Sequence, residues 1–222
     1  MGRLLSSARA VLAILLSAFI CGCGDGPPAD AVGPTLSEQL SAVRAGKSDR
    51  IVVDDFLMTD SDLRELGRLP GLKHLEFKRS SIGDDGAETL IRLPDLEVLA
   101  LAETSITARG LAAITKLQKL NRLNLGLSEL DNGSLTLLSM LPALEHLRIG
   151  SRHVDDTGMP QLAKLGKLKT LHLRYMPITD AGLEPLLGLA NLESLYLEGT
   201  KVTEDGAKRL SQERPKLHVH FP

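Results

Sequence analysis

The chain has no tryptophan, two tyrosines and four phenylalanines among 222 residues. A core of large aromatic plates is therefore excluded, and the interior has to be assembled from aliphatic side chains. Cysteine is equally scarce. Its two copies, Cys21 and Cys23, both lie near the N-terminus, so the rest of the chain can form neither a disulfide nor a thiolate metal site. A surplus of one charge is missing as well: 26 Lys and Arg stand against 28 Asp and Glu, a formal net charge of −2. Loss of residues 1–22 would remove Arg3 and Arg9 and no acid, leaving −4. That balance supplies no basic field to hold nucleic acid, and no nucleic-acid partner is expected. A long hydrophobic run is also absent. The apolar run Val11–Ile20 has ten residues, whereas a bilayer-spanning helix needs about 20.

What is present at the N-terminus is an export signal. Arg3 and Arg9 form a positive leader, and Val11–Ile20 has the length of a signal-peptide apolar region. It runs into Ile20-Cys21-Gly22-Cys23. This resembles the lipobox of bacterial lipoproteins, with an aliphatic residue three before the cysteine and a small residue immediately before it. Cys21 at the intervening position departs from the usual box. The resemblance implies removal of residues 1–22, acylation of Cys23, and an exported protein lipid-anchored to a membrane of the cell envelope. An ordinary signal peptide cut near Ala29-Asp30-Ala31 is the alternative. Gly24–Pro34 is rich in Gly, Pro, Ala and Asp, so residues 23–34 read as a flexible tether. Residues 35–222 read as the folded domain.

That domain is periodic. Leu-x-x-Leu-x-Leu, with Phe77 and Ile149 as variants of the last position, begins at Leu72, Leu96, Leu120, Leu144, Leu168 and Leu192, always 24 residues apart. A fixed period of this length predicts one short strand per repeat, stacked into a solenoid. Counting from the first Leu of each repeat, an apolar residue recurs at offset ten (Ile82, Ile106, Leu130, Val154, Ile178, Val202). A helix-capping Thr or Asp follows in most repeats: Thr107, Asp131, Asp155, Thr179, Thr203. Glycine recurs at offset fourteen, at 86, 110, 158, 182 and 206, with Ser134 as the exception. The expected reason is steric, a place where repeats abut. Thr35-Leu-Ser-Glu38 is a capping box, which opens a capping helix over 35–46 that covers the end of the stack. Ile51-Val52-Val53 reads as a degenerate zeroth repeat, making about seven, and Leu217–Phe221 as a final strand.

Met176-Pro-Ile-Thr-Asp-Ala-Gly-Leu and Thr200-Lys-Val-Thr-Glu-Asp-Gly carry the repeat unit most plainly. They resemble the bacterial leucine-rich repeat family of the 24-residue Thr-x-Ile-Thr-Asp-x-Gly-Leu type, over about residues 48–222. The resemblance implies an α/β fold, a leucine-rich repeat solenoid with a parallel concave sheet and convex helices. It also implies binding of a protein or another macromolecule, without saying which.

Alternation along each strand turns offsets two, four and six outward. His146, Arg148, His172 and Arg174 then become neighbours on adjacent strands, and the only tyrosines, Tyr175 and Tyr196, fall in the same zone. Offset eight is Ser or Thr in four repeats but Arg152 and Met176 here. Arg and Tyr are favoured anchors in interfaces. The candidate binding patch is therefore His146, Arg148, Arg152, His172, Arg174, Tyr175 and Tyr196, suited to an acidic or otherwise anionic protein surface. Val98, Ala100, Ala102 and Gly126 make a small-residue hollow beside it. His146, His153 and His172 have no evident acid or cysteine nearby, so no metal is expected. Ser194 near His172 lacks an orienting acid, so no catalysis is expected and no cofactor. Asn132-Gly-Ser134 reads as a turn. The resulting reading is a membrane-tethered protein-binding scaffold. The alternatives are a structural or self-associating envelope protein, or a non-catalytic subunit of an envelope enzyme complex.

Overall fold

The computed structural model describes residues 34–54, 57–69, 71–78, 80–101 and 103–221. The signal segment, Cys23, most of the tether, and Ala102 lie outside the described residues. Thr35–Pro222 forms one compact unit.

Its strands are β1 (Arg50–Val53), β2 (His74–Phe77), β3 (Val98–Leu101), β4 (Arg122–Leu127), β5 (His146–Gly150), β6 (Thr170–Arg174), β7 (Ser194–Tyr196) and β8 (His218–His220). They form one parallel sheet in strict sequence order. The register follows the repeat, so Arg50 pairs with His74, His74 with Val98, and Ser194 with His218. Equivalent side chains therefore stand side by side in rows, about 4.8 Å apart.

The Leu-x-x-Leu-x-Leu positions are at most 3% exposed. They share one core with the apolar residues at offset ten and with Leu90, Ile114, Leu138, Leu162, Leu186 and Leu210 from the connecting segments. One face of the sheet is thus packed against those segments, and the other faces solvent.

The connections include α1 (Leu36–Arg44), α2 (Asp60–Leu66), α3 (Asp84–Thr89), α4 (Ala108–Ile114), α5 (Met159–Leu162) and α6 (Glu204–Glu213). Among the described residues four stretches are 3₁₀-helical instead: Leu90–Arg92, Ser134–Met140, Asp156–Gly158 and Asp180–Gly188. This modifies the expectation of one α-helix per repeat. In Asp180–Gly188 the cause is visible: Pro185 lies inside the segment, and proline has no N–H for an α-helical bond. A 3₁₀ turn also rises about 2.0 Å per residue, which lets a short connection travel further.

The first edge of the sheet is closed by α1. Its capping box forms as the sequence predicts, Glu38 N–H donating to Thr35 Oγ1 at 3.3 Å and Thr35 N–H to Glu38 at 2.8 Å. Gly46 follows in the left-handed region at φ 67°. From α1, the Gln39 carboxamide donates to Val52 O at 2.8 Å and accepts from Val52 N–H at 2.7 Å. A single side chain thereby imitates the missing neighbouring strand.

The Thr-Asp-x-Gly portion of the repeat acts as a clamp between successive turns. Asp84 accepts from Thr107 N–H at 2.9 Å, Thr107 Oγ1 at 2.7 Å and Gly110 N–H at 2.9 Å. Asp156 accepts from Thr179 N–H and Oγ1 at 2.7 and 2.6 Å, and Asp180 from the same atoms of Thr203 at 2.7 Å each. A Cβ added at Gly110, Gly182 or Gly206 would collide with the Oδ1 of Asp84, Asp156 or Asp180 respectively. Glycine is needed because the preceding carboxylate occupies the side-chain space. Ser134 confirms the rule from the other side: the clamp position one repeat earlier is Ala108, which brings no carboxylate. Ser134 and Asp131 then satisfy each other, Ser134 N–H donating to Asp131 Oδ1 at 2.7 Å and Asp131 N–H to Ser134 Oγ at 2.9 Å. Asn132 lies in the expected turn and serves as a clamp, accepting from Asp155 N–H at 3.0 Å.

Candidate binding site on the open face of the sheet

The open face carries two rows of side chains, at offsets two and four, half-exposed between the buried leucines. Along the offset-four row, Asn124, Arg148, His172, Tyr196 and His220 are consecutive register partners on β4 to β8. Strand spacing brings the rings into a stack. His172 and Tyr196 lie 3.8 Å apart between centroids with 2° between planes, and Tyr196 and His220 lie 4.0 Å apart, again at 2°.

Charges on this face are mostly paired at its two ends. Lys78 meets Asp54 at 2.6 Å, and Arg50 meets Glu76 at 3.7 Å. Near the other end, Arg174 grips Glu198 through Nε and a terminal nitrogen, both at 2.7 Å, and Tyr175 donates its hydroxyl to the same carboxylate at 3.1 Å. That mutual bonding raises the Arg174 pKa and lowers that of Glu198. In the middle, among the described residues, neither Arg122 nor Arg148 has a carboxylate within ion-pair distance. The Arg148 Nε–H is buried and meets no protein acceptor.

These two arginines border a hollow of about 320 Å³ lined by Arg122, Leu123, Asn124, His146, Leu147, Arg148, Thr170 and His172. No acid lines it. Burial, then the Arg148 and Arg174 cations, hold the His172 imidazole down to a pKa of about 4. Burial, then Arg122, lower His146, and burial with repulsion from Arg174 lowers Arg148. Near neutral pH the His172 ring is therefore uncharged, and the positive charge of the hollow resides on Arg122 and Arg148. A larger hollow of about 530 Å³ lies between Asp180–Gly188 and α6. Its Asp180 is the clamp for Thr203 and meets Arg209 at 3.4 Å, so its chemistry is spent on joining repeats.

Of the patch expected from the sequence, His146, Arg148, His172 and Tyr196 come together on this face. Three members do not behave as expected. Arg174 is committed to Glu198. Tyr175 leaves the strand with φ 52°, and its ring covers Gly199, where a Cβ would fall 2.5 Å from Tyr175 Cδ1. Arg152 is exposed beyond the end of β5, and the buried hydroxyl in that repeat is Ser151, bonded to Leu130 O at 2.6 Å. The register between β4 and β5 slips by one residue after Asn124, with Leu127 opposite Gly150, which displaces the position counted from the repeat. Met176 at offset eight is core, 1% exposed. His153 does have an acid beside it, Glu129 at 3.0 Å. No group of three His, Cys, Asp or Glu able to hold a metal occurs among the described residues. No helix among them is long and apolar enough to cross a membrane.

Sequence reasoning missed His220 as the third ring and placed Arg122 and Asn124 outside the patch. The signal was available for His220, since 148, 172, 196 and 220 are successive steps of the same 24-residue count.

Residues 167–187 match a family described as "Leucine Rich repeat". No curated protein sequence matches the chain. Among solved structures, an internalin (inlF) from Listeria monocytogenes is similar at TM-score 0.63 and 21% identity, over 79% of this chain and 48% of that one. The chain thus spans about half the length of that internalin. Two plant proteins are similar at TM-score 0.48. One is the peptide hormone receptor RGFR1 in complex with RGF2, at 15% identity over 78% of this chain and 32% of that one. The other is the Arabidopsis receptor kinase HAESA ectodomain with an IDA peptide hormone, at 19% identity over 66% and 24%. With the eight-stranded parallel sheet in sequence order, the family match and the likeness to the internalin establish the fold as a leucine-rich-repeat solenoid.

Proposed function

We propose that the protein is a membrane-tethered binding scaffold of the cell envelope, exported by its N-terminal segment, acylated at Cys23, and recruiting a protein partner through the open face of β4 to β8. The observation that carries this reading is the unpaired state of Arg122 and Arg148 beside a stack of three rings. Elsewhere on the face, charged side chains are quenched by neighbours. Here a preformed sheet presents cationic donors with no internal acceptor and a stack of ring edges next to them, the combination of Arg and Tyr that anchors interfaces. A rigid sheet loses little entropy on binding, and two-dimensional confinement by a lipid anchor raises the local concentration of a membrane partner.

The test is a crosslinked pulldown from native envelopes using the full chain, beside a variant carrying Arg122→Ala, Arg148→Ala, His172→Ala and Tyr196→Ala. A partner captured by the parent and lost by the variant, with unchanged circular dichroism, supports the reading. Equal capture by both moves the interface off this face.

A further inference from the structure

Resting on that binding reading, we infer that the hollow between β4, β5 and β6 is a subsite for one carboxylate, supplied by an aspartate or glutamate side chain of the protein partner. Three observations converge. The first is an imbalance of donors and acceptors. Arg122 and Arg148 contribute guanidinium N–H groups, and Asn124 adds its amide N–H₂ because its Oδ1 already accepts from Gly126 N–H at 2.9 Å. Thr170 adds a hydroxyl, and no acid lines the walls. The second is Arg148 itself. Its Nε–H is shielded from solvent without an acceptor, a state that is unfavourable for a buried donor. The third is the contrast with the rest of the face. Arg50, Lys78 and Arg174 each have a carboxylate partner within the chain, so the face already shows three times how it satisfies a cation. An incoming carboxylate would complete the same arrangement where the chain provides none.

The pattern of the face favours a side-chain carboxylate over a phosphate, since Arg50, Lys78 and Arg174 are each matched by a carboxylate. Each planar guanidinium fork suits the planar, bidentate geometry of a carboxylate. The adjoining His172–Tyr196–His220 stack offers ring edges to whatever residue flanks the acid.

The experiment is a nuclear magnetic resonance titration of the ¹⁵N-labelled full chain in neutral detergent. It follows the Arg148 Nε–H signal and the backbone amides of His146, Thr170 and His172. The probes are N-acetyl-glutamate α-amide, its glutamine counterpart, and inorganic phosphate. Saturable shifts with the glutamate probe, absent with glutamine and weaker with phosphate, are expected. Arg148→Gln should weaken that binding about tenfold or more, the loss of one charge-assisted bond, with the amide spectrum elsewhere unchanged. Equal response to the glutamine probe, tighter binding of phosphate, or unchanged affinity in Arg148→Gln would overturn the assignment. Failure here with a partner still lost in the quadruple-variant pulldown would remove the carboxylate and leave the face as the interface. Probe binding with undiminished pulldown would do the reverse.

Discussion

Substituting Gly110 with Ala tests the clamp between repeats, because the size of its effect should depend on a residue 26 positions away. In most helices Gly→Ala gains about 0.5–1 kcal/mol. Here the new methyl would overlap Asp84 Oδ1 and would also approach Asp84 Cα at 3.1 Å and Ile106 Cγ2 at 3.2 Å. The carboxylate has to swing away, leaving Thr107 N–H, Thr107 Oγ1 and Gly110 N–H without it. The Asp84 side chain is only 11% exposed, so water replaces those bonds poorly. At about 1–3 kcal/mol per deprived buried donor, with partial rescue by water, the loss is about 2–4 kcal/mol, and the net cost of Gly110→Ala is about 1.5–3 kcal/mol after the helical gain. Asp84→Ala alone forfeits the same bonds and should cost about 2–4 kcal/mol. In the double variant the overlap with Oδ1 is gone, as it is naturally at Ala108 and Ser134, and only shifts of a few tenths of an ångström remain. Adding Ala at 110 to Asp84→Ala should then cost under about 1 kcal/mol, a coupling of about 1–3 kcal/mol. Urea unfolding of the full chain and the three variants, followed by circular dichroism with m-values compared, measures the cycle. Equal cost of Gly110→Ala in both backgrounds would refute the clamp as the reason for glycine.

Gln39→Ala should open the first sheet edge, removing both bonds to Val52 at a cost of about 1–2 kcal/mol, and hydrogen exchange at Val52 N–H should accelerate while that of Leu99 does not. The pH dependence of stability should show His172 first. Its folded pKa of about 4 lies below the ordinary 6.5, so the unfolded chain takes up the proton earlier. Stability should fall as pH drops from 6.5 towards 4, and His172→Phe, which keeps a ring on Tyr196, should flatten that slope in thermal unfolding. Below about pH 4 a second loss should follow, because hydrogen bonds from Thr203 lower Asp180 and those from Thr157 and Asn132 lower Asp155. A depressed carboxylate stabilises only while ionised. Finally, Cys23→Ala should move the protein from the membrane to the soluble fraction in cell fractionation, and retention on the membrane would count against acylation there.

Much of the fold was readable because every repeat restates one local rule. Leu75, Leu99 and Leu123 alternate with polar neighbours and become buried strand positions, and the capping box at Thr35 forms as written. Gly110 and Gly182 announced a tight approach, although the atom they approach, a carboxylate from the preceding repeat, had to be seen. The candidate site was less legible. His172 and Tyr196 could be set side by side by counting 24 residues, but Arg174 and Arg148 look alike in that count. One is bound to Glu198 and the other is not. Arg152 was misplaced because counting assumes constant register, which fails after Asn124.

By itself, then, the sequence determined a stack of short parallel strands, their register, and the rows of side chains on the open face. These follow from a period that is local, one-dimensional and repeated until no other arrangement buries the leucines. Only the tertiary structure decided which cations on that face are neutralised, which ring completes the stack from the last strand, and where the chain slips by one residue. Those outcomes depend on how far long side chains reach across neighbouring repeats and on how much water remains around them, quantities that a linear period does not contain.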